Sequence, residues 1–107
     1  MDLDLIVIGT GAGGGQAASV CRDAGWSVAI IDDQPFGGTC VLRGCDPKKM
    51  VRRAAEVVNS AQAMADAGVS GAPTIDWPAL MKFKRTFTDG VPESNEKWYA
   101  DAGIRAL

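Results

Sequence analysis

The sequence predicts an α/β chain with an incomplete parallel sheet: strand, helix and strand, followed by two long helices. Three observations carry this reading. An apolar run, Leu3 to Ile8, stops at Gly9, as a parallel strand buried on both faces does. Gly9-Thr10-Gly11-Ala12-Gly13-Gly14 follows and leads into a helical pattern. A second apolar run, Ser27 to Ile31, ends in Asp32, eighteen residues past Gly14. Strand, glycines, helix, strand and acid in this order make a Rossmann-like unit that binds a dinucleotide.

Each glycine has a task in that unit. Gly9 allows the tight turn, Gly11 lets a pyrophosphate approach the backbone, and Gly14 lets the helix pack against the strand. The phosphates sit on the amides of the helix start, around Ala12 and Gly13, where the helix dipole favours negative charge. Ala17, Ala18, Val20, Cys21 and Ala24 supply the helix's small packing face, with Cys21 as an apolar filler, and Gly25 ends it. Asp32 is placed to accept hydrogen bonds from ribose hydroxyls, while Asp33 faces solvent. The competing reading, a glycine-rich turn without a ligand, does not account for the acid at its expected distance.

The segment Gly37 to Lys49 reads GGTCVLRGCDPKK. Cys40 and Cys45 have four residues between them. In a regular helix their Cα atoms would stand roughly 8.6 Å apart, whereas a disulfide needs roughly 4.4 to 6.8 Å. A pair here therefore requires the chain to leave regular helix, and Gly44 is the residue that permits it. The next helix is expected to start with Asp46 as its cap and Pro47 in its first position. Cys45 then lies at a helix N-terminus beside Lys48 and Lys49, a setting that favours a reactive thiolate, although the Asp46 carboxylate opposes it.

From Pro47 to about Ala67 apolar residues recur at helical spacing, including Met50, Val51, Ala54, Val57, Val58 and Met64, and Gly68 stops the pattern. Val69 to Thr74 is a connector. Asp76-Trp77-Pro78 opens a second helix carrying Leu80, Met81, Phe83, Phe87, Trp98 and Tyr99, with a break expected at Gly90 and Pro92. Gly103 ends it, and Ile104 to Leu107 begins a strand.

Composition narrows the function. The 107 residues suit a single domain with a modest core, and a net charge of -2 gives no electrostatic case for nucleic acid. Lys82, Lys84 and Arg85 read as a solvated helix face. No apolar run approaches a membrane span, and the acidic start lacks the basic region of a secretory signal. The cytoplasm is the expected compartment, where a persistent cysteine pair is usually catalytic. The sequence has no histidine, so two cysteines make an incomplete zinc site and no metal is expected.

From its glycines through GGTCVLRGCDPKK, the chain resembles the class I pyridine nucleotide-disulfide oxidoreductases, the family of glutathione reductase, mercuric reductase and dihydrolipoamide dehydrogenase. The resemblance implies that residues 1–107 are the N-terminal part of an FAD-binding domain, without the nicotinamide-binding or dimerisation domain. It implies homodimeric flavoenzymes in which NAD(P)H reduces FAD, FAD reduces the cysteine pair, and the pair reduces a disulfide or metal-ion substrate. Gly9, Gly11, Ala12, Gly13 and Gly14 would then hold the FAD pyrophosphate and Asp32 the adenosine ribose. Gly38, Thr39 and the stretch through Gly44 would line the flavin side. Cys45 would be the thiolate against the flavin ring, Cys40 the thiol that attacks substrate, and Lys48 or Lys49 the lysine near flavin N5. Arg43 and Asp46 stand where better-known members often have aliphatic residues. No second Gly-x-Gly-x-x-Gly and no His-Glu pair is present, so the chain alone is expected to lack parts for turnover and to self-associate. Two other classes compete with this one: a stand-alone FAD or adenine-nucleotide module without catalysis, and a small dithiol redox protein.

Overall fold

A computed structural model describes residues 2–107. Strand β1 (Leu5–Ile8) leads through helix α1 (Ala12–Asp23) to strand β2 (Val28–Ile31). A short helix α2 (Gly38–Leu42) and the long helix α3 (Cys45–Ala63) follow. A single 3-10 turn (Ala65–Ala67) ends at Gly68, whose φ of 95° is the left-handed stop. Helices α4 (Trp77–Thr88) and α5 (Val91–Asp101) and a two-residue strand β3 (Arg105–Ala106) complete the order. The sheet is parallel with order β1-β2-β3, Leu5 opposite Val28 and Ala29 opposite Arg105.

The strand order explains where the core lies. Strands added in one direction by right-handed connections put every crossover on the same face of the sheet. Accordingly Leu5, Val7, Val28 and Ile30 face Ala18 of α1, Phe36, Tyr99 of α5 and Ile104 in one cluster. Phe36 meets Tyr99 edge-on, with ring centroids 6.0 Å apart. Arg22 of α1 ties the two covering helices together through a hydrogen bond to the Ala102 carbonyl at the end of α5, and also holds the Trp26 carbonyl just after α1, both at 3.2 Å.

Several expectations need correction. The first strand is not buried on both faces: it runs from Leu5, and Ile6 and Ile8 of its other face are 53% and 86% exposed. Nothing among the described residues returns across the sheet to cover them. The small face of α1 is narrower than its sequence suggests, since Ala18 is buried and Cys21 half-buried while Ala17, Val20 and Ala24 are exposed. Gly14, Gly15 and Ala18 make the close approach instead. Asp46 does not cap α3, which begins at Cys45 with Gly44 as its N-cap and no side-chain cap. The backbone of Gly44 is folded onto Thr39 and Cys40, which starts the helix earlier and places Pro47 in its third position. Asp46 then sits in the first turn and pairs with Lys49 at 3.8 Å, where a carboxylate still suits the dipole. Met64 and Val57 are half exposed, because α4 covers only one strip of α3.

The second helical segment behaves as expected. Asp76 caps α4 by accepting from the Ala79 amide at 3.1 Å, and the chain breaks between α4 and α5 at Asp89 and Gly90, with Pro92 in the first turn of α5. Helices α3 and α4 pair as a hairpin that projects from the sheet. The radius of gyration is 19.9 Å and the long dimension 68 Å, against about 13 Å for a compact domain near this size. No residue of α3 is fully buried. No helix among the described residues is long and apolar enough to cross a membrane.

Candidate nucleotide and dithiol site

The glycine loop does what its spacing predicts at two positions. Gly9 takes a φ of 101°, turning the chain out of β1. A Cβ on Gly14 would lie 2.1 Å from the Gly9 carbonyl oxygen and 3.1 Å from Val7 Cγ1, so only glycine lets α1 rest on β1 here. Gly11 is the N-cap of α1 and offers no side chain to its first amides, and nothing lies within 4 Å of a Cβ on Gly11 or Gly13. The helix start thus presents unpartnered donors with open space before them, which suits a pyrophosphate.

Thr10 and Asp32 form a knot beside the loop. The Thr10 amide and hydroxyl both donate to Asp32 Oδ2, at 2.7 and 2.5 Å. The Gln34 amide donates to Oδ1 at 3.0 Å, and the Gly37 amide donates to Thr10 Oγ1 at 3.1 Å. These bonds hold the Asp32 carboxyl below its ordinary value, the Thr10 hydroxyl acting most strongly, then the Thr10 and Gln34 amides. Burial and the nearby Asp32 charge push the Tyr99 phenol up.

The dithiol segment is pressed onto the loop. Gly37 and Gly38 have φ of 133° and 73°, and a Cβ on Gly38 would stand 2.4 Å from Gly11 Cα. This backbone contact puts Cys40 on the wall of a cleft of about 510 Å³ that also includes Thr10, Gly11, Ala12, Gly15, Asn95 and Tyr99. A Cβ on Gly44 would stand 3.2 Å from Cys40 Cα, and that close approach brings the second cysteine back toward the first. The Cys40 thiol, although exposed, is held above its ordinary value, first by its hydrogen bond to the Cys45 side chain and then by local loss of solvation. Both are free thiols in this structure.

Among the residues singled out from sequence, the structure therefore joins Gly11, Ala12, Gly38 and Cys40. Thr39 lies between the last two. Gly9 and Gly14 serve the turn and the packing behind the cleft. Asp32 stands at the end of β2, and Cys45, Lys48 and Lys49 lie on α3 outside the cleft wall. Lys49 pairs with Asp46, whereas Lys48 faces the space between α3 and α4. Sequence reasoning missed Thr10, Gly15 and Tyr99. A Cβ on Gly15 would stand 2.7 Å from the Tyr99 hydroxyl, a contact that no local spacing announces.

Fold and site together define an α/β unit with an open glycine loop and a close dithiol. The family model for pyridine nucleotide-disulphide oxidoreductases matches residues 3–102, and the chain belongs to that family. It is 42% identical over 84 residues to a glutathione reductase of Burkholderia cepacia, an overlap of 78% of this chain and 19% of the relative. A mercuric reductase of Streptomyces lividans is 42% identical over 85 residues, 78% of this chain and 18% of the relative. A dihydrolipoyl dehydrogenase of Haloarcula marismortui is 29% identical over 104 residues, 97% of this chain and 22% of the relative. The chain spans about a fifth of the length of these relatives.

Proposed function

We propose that this chain supplies the FAD-binding base and the redox-active Cys40-Cys45 pair of an NAD(P)H-dependent disulfide or mercuric oxidoreductase. One observation carries the reading: the contact of Gly38 on Gly11 puts Cys40 in the same cleft as the open helix start. The relatives' names supply the reaction class. Gly9, Gly11, Ala12, Gly13 and Gly14 form the pyrophosphate cradle. Asp32 serves the ribose through Oδ1, which accepts only from Gln34 while Oδ2 is taken twice by Thr10. When bound, FAD supplies the two-electron path between nicotinamide and the dithiol. Lys48 and Lys49 supply positive charge one turn beyond Cys45.

The chemistry of the pair follows from thiolate exchange. Cys40 gives up its proton and its sulfur attacks one sulfur of the substrate disulfide, forming a mixed disulfide and releasing one thiol. Cys45 as thiolate then attacks the Cys40 sulfur, releasing the second thiol and leaving a Cys40-Cys45 disulfide. The substrate gains two electrons and the pair loses two. Turnover also needs a nicotinamide site and a proton donor for the leaving thiol, for which this chain has no histidine.

The test is a titration of the reduced chain with FAD, read by visible absorption and by the alkylation rate of each cysteine. The expected result is a retained flavin band that gains a long-wavelength shoulder when the pair is reduced, together with slower alkylation of Cys45. Cys45→Ala should speed Cys40 alkylation at pH 8 severalfold, since it removes the group that most raises the Cys40 thiol. A colourless protein whose cysteine rates ignore FAD would sink the reading. Binding of FAD without dithiol-disulfide cycling would favour a plain nucleotide-binding module.

We also propose self-association. Ile6 and Ile8 leave an apolar strip on the open face of β1, and such a strip favours partners. Sedimentation velocity should show a coefficient that rises with concentration, and Ile8→Lys should suppress the rise. A concentration-independent monomer would reject it.

A further inference from the structure

A second cavity lies apart from the cleft beside the glycine loop. It is a groove of about 590 Å³ between α3 and α4, and it shares no lining residue with that cleft. Its floor is apolar, built from Leu42, Pro47, Val51 and Met81, and the half-exposed indole of Trp77 stands in its wall. Four cations line it, Arg43, Lys48, Arg52 and Lys84, and no carboxylate does. Of these, Arg52 alone has a salt bridge among the described residues, to Glu56 at 2.7 Å. Acids stand outside the rim: Asp89 shares an adjoining hollow with Arg43 and Lys84 but is in salt-bridge contact with neither, Asp46 and Asp76 are the chain neighbours of Pro47 and Trp77, and the charge of Arg43 reaches Asp32.

We propose that this groove binds a small organic anion with a flat apolar body, such as an aromatic carboxylate. The size suits a ligand of that kind, since small-molecule sites are mostly apolar and carry a few placed polar groups. The charge is complementary in a specific way. The chain as a whole has a net charge of -2, so three cations without salt bridges around one apolar floor are a local reversal of the field. Without salt bridges of their own they repel one another, and an anion seated among them relieves that repulsion. Arg43 and Lys84 offer charge-assisted hydrogen bonds to a carboxylate, while Trp77 and Met81 cover the apolar body. The groove shares Lys48 and Arg43 with the flavin reading, but Trp77, Met81 and Lys84 belong to the groove and not to the nucleotide site.

Calorimetric titration of the full chain with 2-naphthoate, and with 2-naphthamide as its neutral counterpart, tests it. Naphthoate should bind one to one, about tenfold or more tighter than naphthamide. The double substitution Arg43→Gln with Lys84→Gln should remove that preference. Lys82→Gln with Arg85→Gln removes the same net charge from residues outside the groove and should keep the preference, as salt-insensitive naphthamide binding provides the baseline. Trp77→Ala should weaken both ligands. Equal binding of the two ligands, or equal loss in both double variants, would overturn the proposal. So would a groove variant that alters the sedimentation coefficient and leaves naphthoate affinity intact, since the groove would then seat a second copy. FAD titration of the same variants separates the two proposals: the flavin reading fails if wild-type chain does not bind FAD, whatever naphthoate does.

Discussion

Gly14→Ala is expected to lower stability by about 3 kcal/mol, near the upper end for an overpacked core. The added Cβ would lie 2.1 Å from the Gly9 carbonyl oxygen and 3.1 Å from Val7 Cγ1. A side chain could turn away, but the closest atom is backbone oxygen in the turn that ends β1. Helix propensity argues the other way, since alanine is favoured over glycine in a helix by about 1 kcal/mol. The clash wins because relief requires α1 to lift off the sheet, and Ala18 of α1 is part of a core with seven buried apolar residues among the described ones. Thermal unfolding followed by circular dichroism should show Tm falling by roughly 10 °C or more. Gly13→Ala is the matched control. It lies one residue earlier in the same helix with nothing within 4 Å, so propensity acts alone and stability should hold or rise slightly. Equal effects at the two positions would mean that the close approach of α1 to β1 is not what Gly14 provides.

The same pair of glycines shows what was legible in the sequence. Spacing identified the turn, the open helix start and the packing glycine, because each is a local backbone requirement with one residue type that meets it. The break between Cys40 and Cys45 was legible for a similar reason: helix geometry and disulfide reach are incompatible, and Gly44 marked where the chain gives way. Burial was less legible. Ile6 and Ile8 are as apolar as Leu5 and Val7, and nothing local says that only one face of the strand is covered. That outcome depends on strand order and crossover hand, which place α1 and α5 together. Capping by Asp46 failed because a tertiary contact, Gly44 on Cys40, set the start of α3 one residue before the preferred cap. Thr10 had no signal at all. It occupies a variable position of the motif, and its partners lie at sequence distances of 22 and 27 residues.

That residue carries the second large effect. Thr10 is 4% exposed, and its hydroxyl donates to Asp32 Oδ2 while accepting from the Gly37 amide. Thr10→Val keeps the shape and removes both bonds. A lost bond to a charged group and a buried amide left unpaired should together cost about 2 to 4 kcal/mol. The two losses separate by pH. Because the folded Asp32 carboxyl lies below its unfolded value of about 3.9, its bonds stabilise fully above that value, and their contribution fades as pH falls through the folded one. The penalty of Thr10→Val measured near pH 7 should therefore shrink below about pH 4, leaving the part due to Gly37, which does not titrate. Thr10→Ser keeps the hydroxyl and should recover most of the loss at pH 7. Because Gly37 leads directly into the Gly38 contact on Gly11, the valine variant should also loosen the seat of Cys40 and change its alkylation rate, whereas the serine variant should not. A penalty that is constant with pH would place the whole effect on packing and the Gly37 amide, and would mean that the Thr10 hydroxyl bond to Asp32 contributes nothing.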